Sequence, residues 1–340
     1  MNSSFLSNWF QFSKFKKVIP GLLLVMVIAL VASFFGDFIP YLNSTILAIL
    51  IGAVLSNIVN LSSNLNEGIS FSQKKVLKLA IILLGVSLNL WNVISIGGSA
   101  LIPITVTVIL GVVLTFYIGK FFGLTNNLNL LIGGGTAICG ATAIATISPV
   151  LKAKEEETAY AISTIFIFNI ISVIIYPIIG QILNLSDEFF GVWSGVAIHD
   201  TSSVVAAAYE YNDESGIVAT VVKMTRTLFL IPLVLILGFY TSKKGENDNH
   251  KVSIFKIFPV FLLFFLLMSI LNTLGVFSEQ VVNILTVFSK FFILMAMVSI
   301  GLSLNVKKLS KLGMAPIYTG LIASVIVALV SFITISMALK

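Results

Sequence analysis

Long apolar stretches without a charged residue or histidine recur along the whole chain and predict transmembrane helices. A bilayer core about 30 Å thick needs about 20 apolar residues per helix. One stretch, Leu79–Gly119, is long enough for two helices and divides near Gly97 and Gly98. The pattern predicts an all-α polytopic membrane protein with about eleven membrane segments, at residues 18–36, 40–60, 75–94, 99–121, 128–150, 157–183, 189–209, 217–241, 255–275, 290–306 and 312–338.

The composition supports this interpretation. Residues of the AVILMFWYC set make up 58% of the 340 residues and charged residues only 10%, whereas a soluble domain carries about 25% charged residues. A soluble enzyme, a disordered chain and a nucleic-acid binder are therefore excluded. The single cysteine excludes an internal disulfide framework, and the two histidines argue against a zinc site with several ligands. The sequence predicts no cofactor and contains no ATP-binding motif.

The lysines indicate the orientation. If all eleven segments cross and the N-terminus is cytoplasmic, most of the 20 Lys and Arg residues fall in cytoplasmic loops. Residues 1–17 then form a cytoplasmic basic segment, and residues 18–338 form one transporter domain in the inner or plasma membrane. The charged loop Lys152–Glu157 fits this topology poorly. It moves inside if 128–150 and 189–209 are re-entrant hairpins, and the lysine count leaves both topologies open.

A short motif occurs twice and predicts an inverted repeat. Gly85-Val86-Ser87-Leu88-Asn89 matches Gly301-Leu302-Ser303-Leu304-Asn305 at four of five positions. The copies lie in the third and the tenth segments, so they run in opposite senses, as in many secondary transporters. We expect Ser87, Asn89, Ser303 and Asn305 to line a substrate cavity. The alternative is a polar contact between helices, or a chance match.

The fifth segment contains Gly133-Gly134-Gly135-Thr136-Ala137-Ile138-Cys139-Gly140-Ala141-Thr142. Glycine costs about 1 kcal/mol in a helix relative to alanine, and an unwound backbone in a membrane is tolerated only where protein or a cavity surrounds it. We expect a helix interruption here, with a half-helix that starts after Gly135 or Gly140. Its free N–H groups would bind an anion. The alternative is a tight crossing of small residues, and Cys139 alone is more typical of packing. The candidate substrate-binding residues are Gly134, Gly135, Thr136, Cys139, Gly140 and Thr142.

The seventh segment holds the one adjacent ionisable pair deep in an apolar stretch, His199 and Asp200. Charged residues inside a membrane are costly and mark functional sites by default. Asp200 is placed to cap a half-helix that starts with Thr201 and Ser202, which we predict to contact substrate. Histidine can carry a coupling proton, so His199 and Asp200 are the ion-coupling candidates. The alternative is a pair that only caps a helix.

The eighth segment opens with Lys223 and Arg226, which share one helix face. Arg226 is the one arginine in the chain, and its fork of donors suits an oxyanion. We predict that Arg226 binds substrate and that Lys223 contributes to ion coupling. The alternative is that Arg226 lies at the membrane edge and extends its side chain toward water. Before this segment, Glu210, Asp213 and Glu214 predict a surface turn.

Residues 131–146 with the Cys139-Gly140 turn, the stretch His199-Asp200-Thr201-Ser202-Ser203 and the Gly301-x-Ser-Leu-Asn segment together resemble the YeiH-like family of bacterial membrane proteins, described as sulfate exporters. The resemblance covers about residues 18 to 338. It implies ten or eleven helices, an inner-membrane location and kinship in fold with the bile acid–sodium symporter group. It also implies sulfate or a sulfonate as substrate, and it allows a homodimer by analogy.

These observations predict a secondary active transporter, not an enzyme. Its partners would be a small anionic solute such as sulfate or a sulfonate, a coupling H+ or Na+, and the lipid bilayer. The alternatives are a sodium- or proton-coupled organic anion symporter and a passive anion channel.

Overall fold

The computed structural model describes residues 12–36, 44–59, 61–243, 260–303 and 313–338, and these residues form helices and connecting loops. Most of the predicted N-terminal segment, and Asn305, lie outside these ranges. The α-helices are α1 (Phe12–Gly36), α2 (Ser44–Ile58), α3 (Asn66–Phe71), α4 (Leu77–Leu84), α5 (Leu90–Ser99), α6 (Leu101–Phe121), α7 (Asn126–Gly134), α8 (Ala141–Val150), α9 (Glu155–Ile182), α10 (Asp187–Ala197), α11 (Thr201–Tyr211), α12 (Asp213–Leu228), α13 (Leu230–Lys243), α14 (Val260–Thr273), α15 (Glu279–Leu302) and α16 (Met314–Ala338).

Short segments of other helical geometry continue some of these helices. A 3-10 turn covers Ser63–Leu65, a π-helix covers Ser72–Val76 between α3 and α4, and a 3-10 turn covers Gly85–Ser87 after α4. Asn89 then caps α5, because its side chain accepts a hydrogen bond from the Trp91 N–H at 2.9 Å.

Six helical stretches within the described ranges are long and apolar enough to cross a membrane. They are Lys17–Gly36, Leu101–Phe121, Glu155–Ile182, Asp213–Thr241, Glu279–Leu302 and Met314–Ala338. A seventh is obtained if Ser63–Ser87 and Leu90–Ser99, separated by a break, count as one span, and three shorter apolar helices add to these. The all-helical, multi-pass architecture is therefore present, while the number of eleven segments stays a prediction.

Large apolar side chains cover much of the outer surface of these helices. Phe121 is 85% exposed, Ile58 77% and Met337 76%. Exposed apolar surface on this scale is unfavourable in water and is what lipid contact requires.

The chain forms two compact units. The first comprises Met1–Leu84 and Phe277–Val306. In it α15 packs against α1, α2 and α4, and Gly301 lies directly on α2. A Cβ atom at Gly301 would lie 3.0 Å from Cα of Gly52 and closer still to the carbonyl oxygen of Ile49. The Ser56 hydroxyl donates to the Gly301 carbonyl at 3.3 Å.

The second unit comprises Gly85–Val276 and Lys307–Lys340. Here α6 packs against α16, and α10 packs against α12. Gly85 lies on α14, where a Cβ atom would be 3.2 Å from Cβ of Met268 and closer to the carbonyl oxygen of Phe265. The Ser269 hydroxyl donates to the Leu88 carbonyl at 3.1 Å. Both predicted interruptions belong to this unit.

Candidate functional site

The first interruption divides residues 126–150 into two helices that meet at Gly140. Helix α7 continues as a π-helix over Gly135–Cys139, and α8 begins at Ala141. Gly140 has φ +60° and ψ −132°, a backbone conformation that residues other than glycine rarely adopt. A Cβ atom there would lie 3.1 Å from Cβ of Asp200. The predicted interruption is present, and its second half starts after Gly140.

Gly134 and Gly135, which precede the interruption, are helical and allow close packing. A Cβ atom at Gly135 would lie 2.9 Å from Cδ1 of Ile144, and one at Gly134 would lie 2.5 Å from Cδ1 of Ile147. A straight helix would separate residues 134 and 147 by about 20 Å, so the second half folds back on the first. The glycines allow this close packing. The crossing and the re-entrant topologies of residues 128–150 both stay predictions.

The second interruption separates α10 from α11 at Ile198, His199 and Asp200. Asp200 caps α11 as predicted: its carboxylate accepts the Ser202 N–H at 3.0 Å and also the Ser202 hydroxyl. The Asp200 N–H donates to Oδ1 of Asn169 on α9 at 3.0 Å. An aspartate N-cap stabilises a helix start by about 1 kcal/mol, and Asn169 fixes the turn from outside the segment.

Lys223 joins the two interruptions from α12. Its side chain is 0% exposed, and Nζ donates to the carbonyl oxygens of Ile138 at 2.8 Å, Ile198 at 2.9 Å and His199 at 2.5 Å. A carbonyl oxygen only accepts, so Nζ is the donor in all three contacts.

Arg226 makes a second link one helical turn further along α12. It is also 0% exposed. Nε donates to the Ala137 carbonyl at 2.7 Å, Nη1 to the Ile198 carbonyl at 2.8 Å and Nη2 to the Thr136 carbonyl at 2.6 Å. The Arg226 side chain therefore does not extend toward water, as the alternative required. These three donors bind the main chain, so Arg226 can act on an anion through its charge.

The two cations thus cap both first half-helices. Carbonyls at a helix C-terminus lack intrahelical partners and carry partial negative charge. The π-helix that follows α7 and the end of α10 both present such carbonyls to Lys223 and Arg226. An unpaired buried polar group costs about 1–3 kcal/mol, so the two side chains stabilise both interruptions.

His199 is buried, 1% exposed. Its Nδ1 lies 3.1 Å from the Thr136 carbonyl oxygen and its Nε2 lies 2.8 Å from the Ser324 hydroxyl on α16. Since the carbonyl only accepts, Nδ1 must carry hydrogen. The Ser324 hydroxyl also donates to the Gly320 carbonyl at 2.7 Å, so it accepts from Nε2 whenever its one hydrogen lies on that carbonyl.

The other candidate residues differ in position. Thr136 is buried, and its hydroxyl has no hydrogen-bond partner within the described part of the chain. Cys139 is buried, Thr201 is half-buried and Thr142 is exposed at the start of α8. The structure therefore brings Thr136, Cys139, Gly140, His199, Asp200, Thr201, Ser202, Lys223 and Arg226 to the two interruptions.

The described serines and asparagine of the repeated motif make other contacts. Ser87 is half-buried, and the exposed Asn89 caps its own helix. Ser303 belongs to the first unit, is exposed and donates to the Ser299 carbonyl at 2.8 Å. A cavity-lining role for these residues stays a prediction.

Two residues that contact the site, Asn169 and Ser324, were not recognised in the sequence. Asn169 and Ser324 contact Asp200 and His199, but nothing distinguishes Ser324 from other serines on apolar helices. Glu210, expected in a surface turn, is buried at 6% exposure, so that prediction is wrong for it, whereas Asp213 and Glu214 are exposed. Within the described ranges no three His, Cys, Asp or Glu side chains are grouped to hold a metal ion.

The comparisons with known proteins all point to one family of membrane proteins. The chain is 40% identical to a UPF0324 membrane protein of Clostridium tetani over 333 residues, which covers 94% of this chain and 96% of that protein. It is 41% identical to a UPF0324 membrane protein of Streptococcus agalactiae, with 90% and 93% covered, and 40% identical to one of Fusobacterium nucleatum, with 92% and 95% covered. Residues 20–320 match the family described as conserved hypothetical protein 698. The chain therefore belongs to this family of membrane proteins.

Proposed function

We propose that the protein is a secondary active transporter of a small anion, of the sulfate or sulfonate type, driven by a proton or sodium gradient. The observation that carries this proposal is the charge at the two interruptions. Lys223 and Arg226 are fully buried there, and Asp200 contributes one carboxylate at the second interruption. Buried charge of one sign is costly unless a counterion balances it, and an anionic solute would supply that balance.

The two half-helix N-termini are not equivalent. The carboxylate of Asp200 already occupies the N-terminus of α11. Helix α8 follows Gly140, which has no side chain to cap it, and its first residues Ala141 and Thr142 are exposed. Helix N-termini favour anions, so the start of α8 is the better candidate for direct contact, with Lys223 and Arg226 as countercharge.

The inverted repeat belongs to the same proposal, with residues 18–338 as one transporter domain of eleven segments. Gly301 follows Gly85 by 216 residues, and Phe265 follows Ile49 by 216 residues. Gly301 packs on the Ile49 carbonyl in the first unit, and Gly85 packs on the Phe265 carbonyl in the second. The same contact between corresponding positions supports a duplicated architecture, which is common among secondary transporters.

Coupling is assigned to the pair His199 and Asp200. Asp200 carries the negative charge that a sodium ion or a proton would neutralise. His199 lies on the Thr136 carbonyl, to which Arg226 also donates, so a change at His199 would reach the first interruption directly. In this proposal the N-terminus lies in the cytoplasm, and the protein lies in the inner or plasma membrane.

The test is flux in proteoliposomes. Purified protein is reconstituted, and uptake of labelled sulfate and methanesulfonate is measured under imposed pH and sodium gradients, with empty vesicles as the control. When one gradient is imposed, we expect the labelled anion to accumulate inside the vesicles above its equilibrium concentration. This accumulation should be lost when an ionophore collapses the gradient. Rates equal to empty vesicles for both anions would remove the proposal. Flux that never exceeds equilibrium would indicate the passive channel instead.

A further inference from the structure

The two ends of the first interrupted segment lie next to each other. The side chain of Asn127, at the start of α7, donates to the carbonyl oxygen of Leu151, just after α8, at 3.4 Å. The Thr125 hydroxyl before α7 also donates to the carboxylate of Glu157 in the first turn of α9. A segment that crossed the membrane would hold its two ends about 30 Å apart. The chain therefore returns over residues 126–150 to the level at which it entered.

The ends of the second interrupted segment also meet. The side chain of Asn212, just after α11, donates to the carboxylate of Asp187, the first residue of α10, at 2.7 Å. The Tyr211 hydroxyl donates to the carbonyl oxygen of Leu185, ahead of α10, at 2.6 Å. Residues 187–211 thus also end at the level at which they begin.

Helix α9 places these two pairs of ends at opposite faces of the membrane. It begins at Glu155, directly after the first segment, and ends at Ile182, shortly before the second. Its 28 residues extend about 42 Å, which exceeds the bilayer core, and it is apolar enough to cross. The two interrupted segments therefore start from opposite faces.

The first half of each segment reaches about halfway through the bilayer core. The nine residues of α7 and the five of its π-helical continuation extend about 20 Å, and the 11 residues of α10 about 16 Å. Helix α12 packs along α10, and Lys223 lies about 15 Å from its start at Asp213. At that depth Lys223 donates to the carbonyls of Ile138 and Ile198, one from each segment.

From these contacts we infer that the two interrupted segments are re-entrant hairpins, which enter the membrane from opposite faces and meet tip to tip at its centre, at residues 139–140 and 198–200. The eleven predicted segments then comprise nine crossings and two hairpins. The inference goes beyond the proposed function and does not depend on it. In the proposed transporter, a movement of one hairpin would change access to the tips from one face and leave the other hairpin in place.

The distribution of charge along the chain agrees with this arrangement. The loop Lys152–Glu157, which fits a crossing topology poorly, comes to lie on the same face as Lys120. The ends of the second hairpin carry acidic residues such as Asp187 and Glu214, and the chain has no Lys or Arg from residue 155 to residue 222. Because Lys and Arg concentrate in cytoplasmic loops, the first hairpin would enter from the cytoplasm and the second from outside.

Cysteine labelling distinguishes hairpins from crossings. Four exposed positions receive single cysteines in a Cys139→Ala background: Lys120→Cys, Glu156→Cys, Glu188→Cys and Glu214→Cys. Right-side-out vesicles are treated with a membrane-impermeant maleimide, sealed and after permeabilisation. We expect the first two cysteines to react only after permeabilisation and the last two to react in sealed vesicles.

The comparison within each pair decides the result. A crossing first segment puts Lys120→Cys and Glu156→Cys on opposite faces, and a crossing second segment does the same for Glu188→Cys and Glu214→Cys. Opposite labelling within either pair would overturn the inference. Since anion uptake is not measured, failure of the proposed transport function would leave this result unaffected.

Cross-linking tests the second hairpin without oriented vesicles. Glu188→Cys and Asp213→Cys are next to the contact between Asp187 and Asn212, so a short bifunctional thiol reagent should join them within one chain in detergent. The control combines Glu188→Cys with Glu156→Cys, at the other end of α9, and should stay unlinked. Intact mass spectrometry measures both yields, and equal yields in the two pairs would contradict the hairpin.

Discussion

Gly140 and Asp200 lie against each other where the two interrupted segments meet. A Cβ atom at Gly140 would be 3.1 Å from Cβ of Asp200 and 3.2 Å from its Oδ1. Gly140 also has φ +60°. Space and backbone conformation therefore both require glycine at this point, and the second half-helix can start beside the carboxylate only because no side chain intervenes.

Gly140→Ala should destabilise the protein by about 1–3 kcal/mol, because alanine at this φ is strained and its Cβ crowds Asp200. We expect a lower apparent melting temperature in detergent and loss of anion uptake. Gly238→Ala is the matched control, because a Cβ at Gly238 meets nothing within 4 Å. Equal melting temperatures for the two variants would contradict the conclusion that position 140 requires glycine.

Arg226→Met should be more harmful, since it leaves the carbonyls of Thr136, Ala137 and Ile198 without these buried donors. Removing a buried charged partner costs about 3–5 kcal/mol. Arg226→Lys should recover only part of this loss, because an ammonium does not have the reach of the guanidinium fork. Thermal denaturation in detergent measures both. Lys120→Met, at an exposed position, is the control, and a similar small loss in all three variants would argue against the carbonyl contacts.

The places where the helices break were predictable from local chemistry, whereas the contacts that hold them were not. Glycine at residue 140 and an aspartate followed by Thr201 and Ser202 are signals that act within a few residues. The acceptors of Lys223 and Arg226 are main-chain carbonyls up to 90 residues away. A carbonyl has no residue-specific signature, so the sequence showed the donors and not their partners.

At the three consecutive glycines, the sequence predicted an unwound backbone where the structure has a helix. Its weak helix propensity suggested unwinding, yet Gly134 and Gly135 remain helical. Tertiary packing against Ile144 and Ile147 outweighs propensity here. Glu210 was predicted to be exposed because it is charged, yet it is buried. Charged residues are exposed on average, but the burial of a single residue depends on the helices that pack around it.

The tautomer of His199 can be observed directly. The chain has two histidines, so His250→Gln leaves one imidazole for 15N NMR. We expect hydrogen on Nδ1, because that nitrogen faces the Thr136 carbonyl. Ser324→Ala in the same background should change the Nε2 shift and leave Nδ1 protonated, whereas Ser331→Ala, on the same helix, should change neither. Hydrogen on Nε2 alone would contradict the described geometry.

Gly85→Ala and Gly301→Ala should each lower the melting temperature, by a similar amount of about 1–3 kcal/mol in stability, if the two glycines make corresponding contacts. In each case the new Cβ would meet a main-chain carbonyl of a neighbouring helix, at Phe265 or at Ile49. Gly98→Ala is the control, since its Cβ meets nothing within 4 Å. If only one of the two contact variants were destabilised, the structural basis for the repeat would be lost.

Thr142 offers a test of where the anion binds. It is exposed at the start of α8, so Thr142→Cys in a Cys139→Ala background should react with a water-soluble methanethiosulfonate reagent. Methanesulfonate should slow this reaction if the anion sits on the N–H groups of the first turn. Ala145→Cys is the matched control: it is also exposed on α8 but lies one turn further from the helix start, where labelling should proceed at the same rate with and without the anion. Protection of both cysteines to the same degree would indicate a general conformational change, and protection of neither at saturating anion would exclude the start of α8 as the contact point.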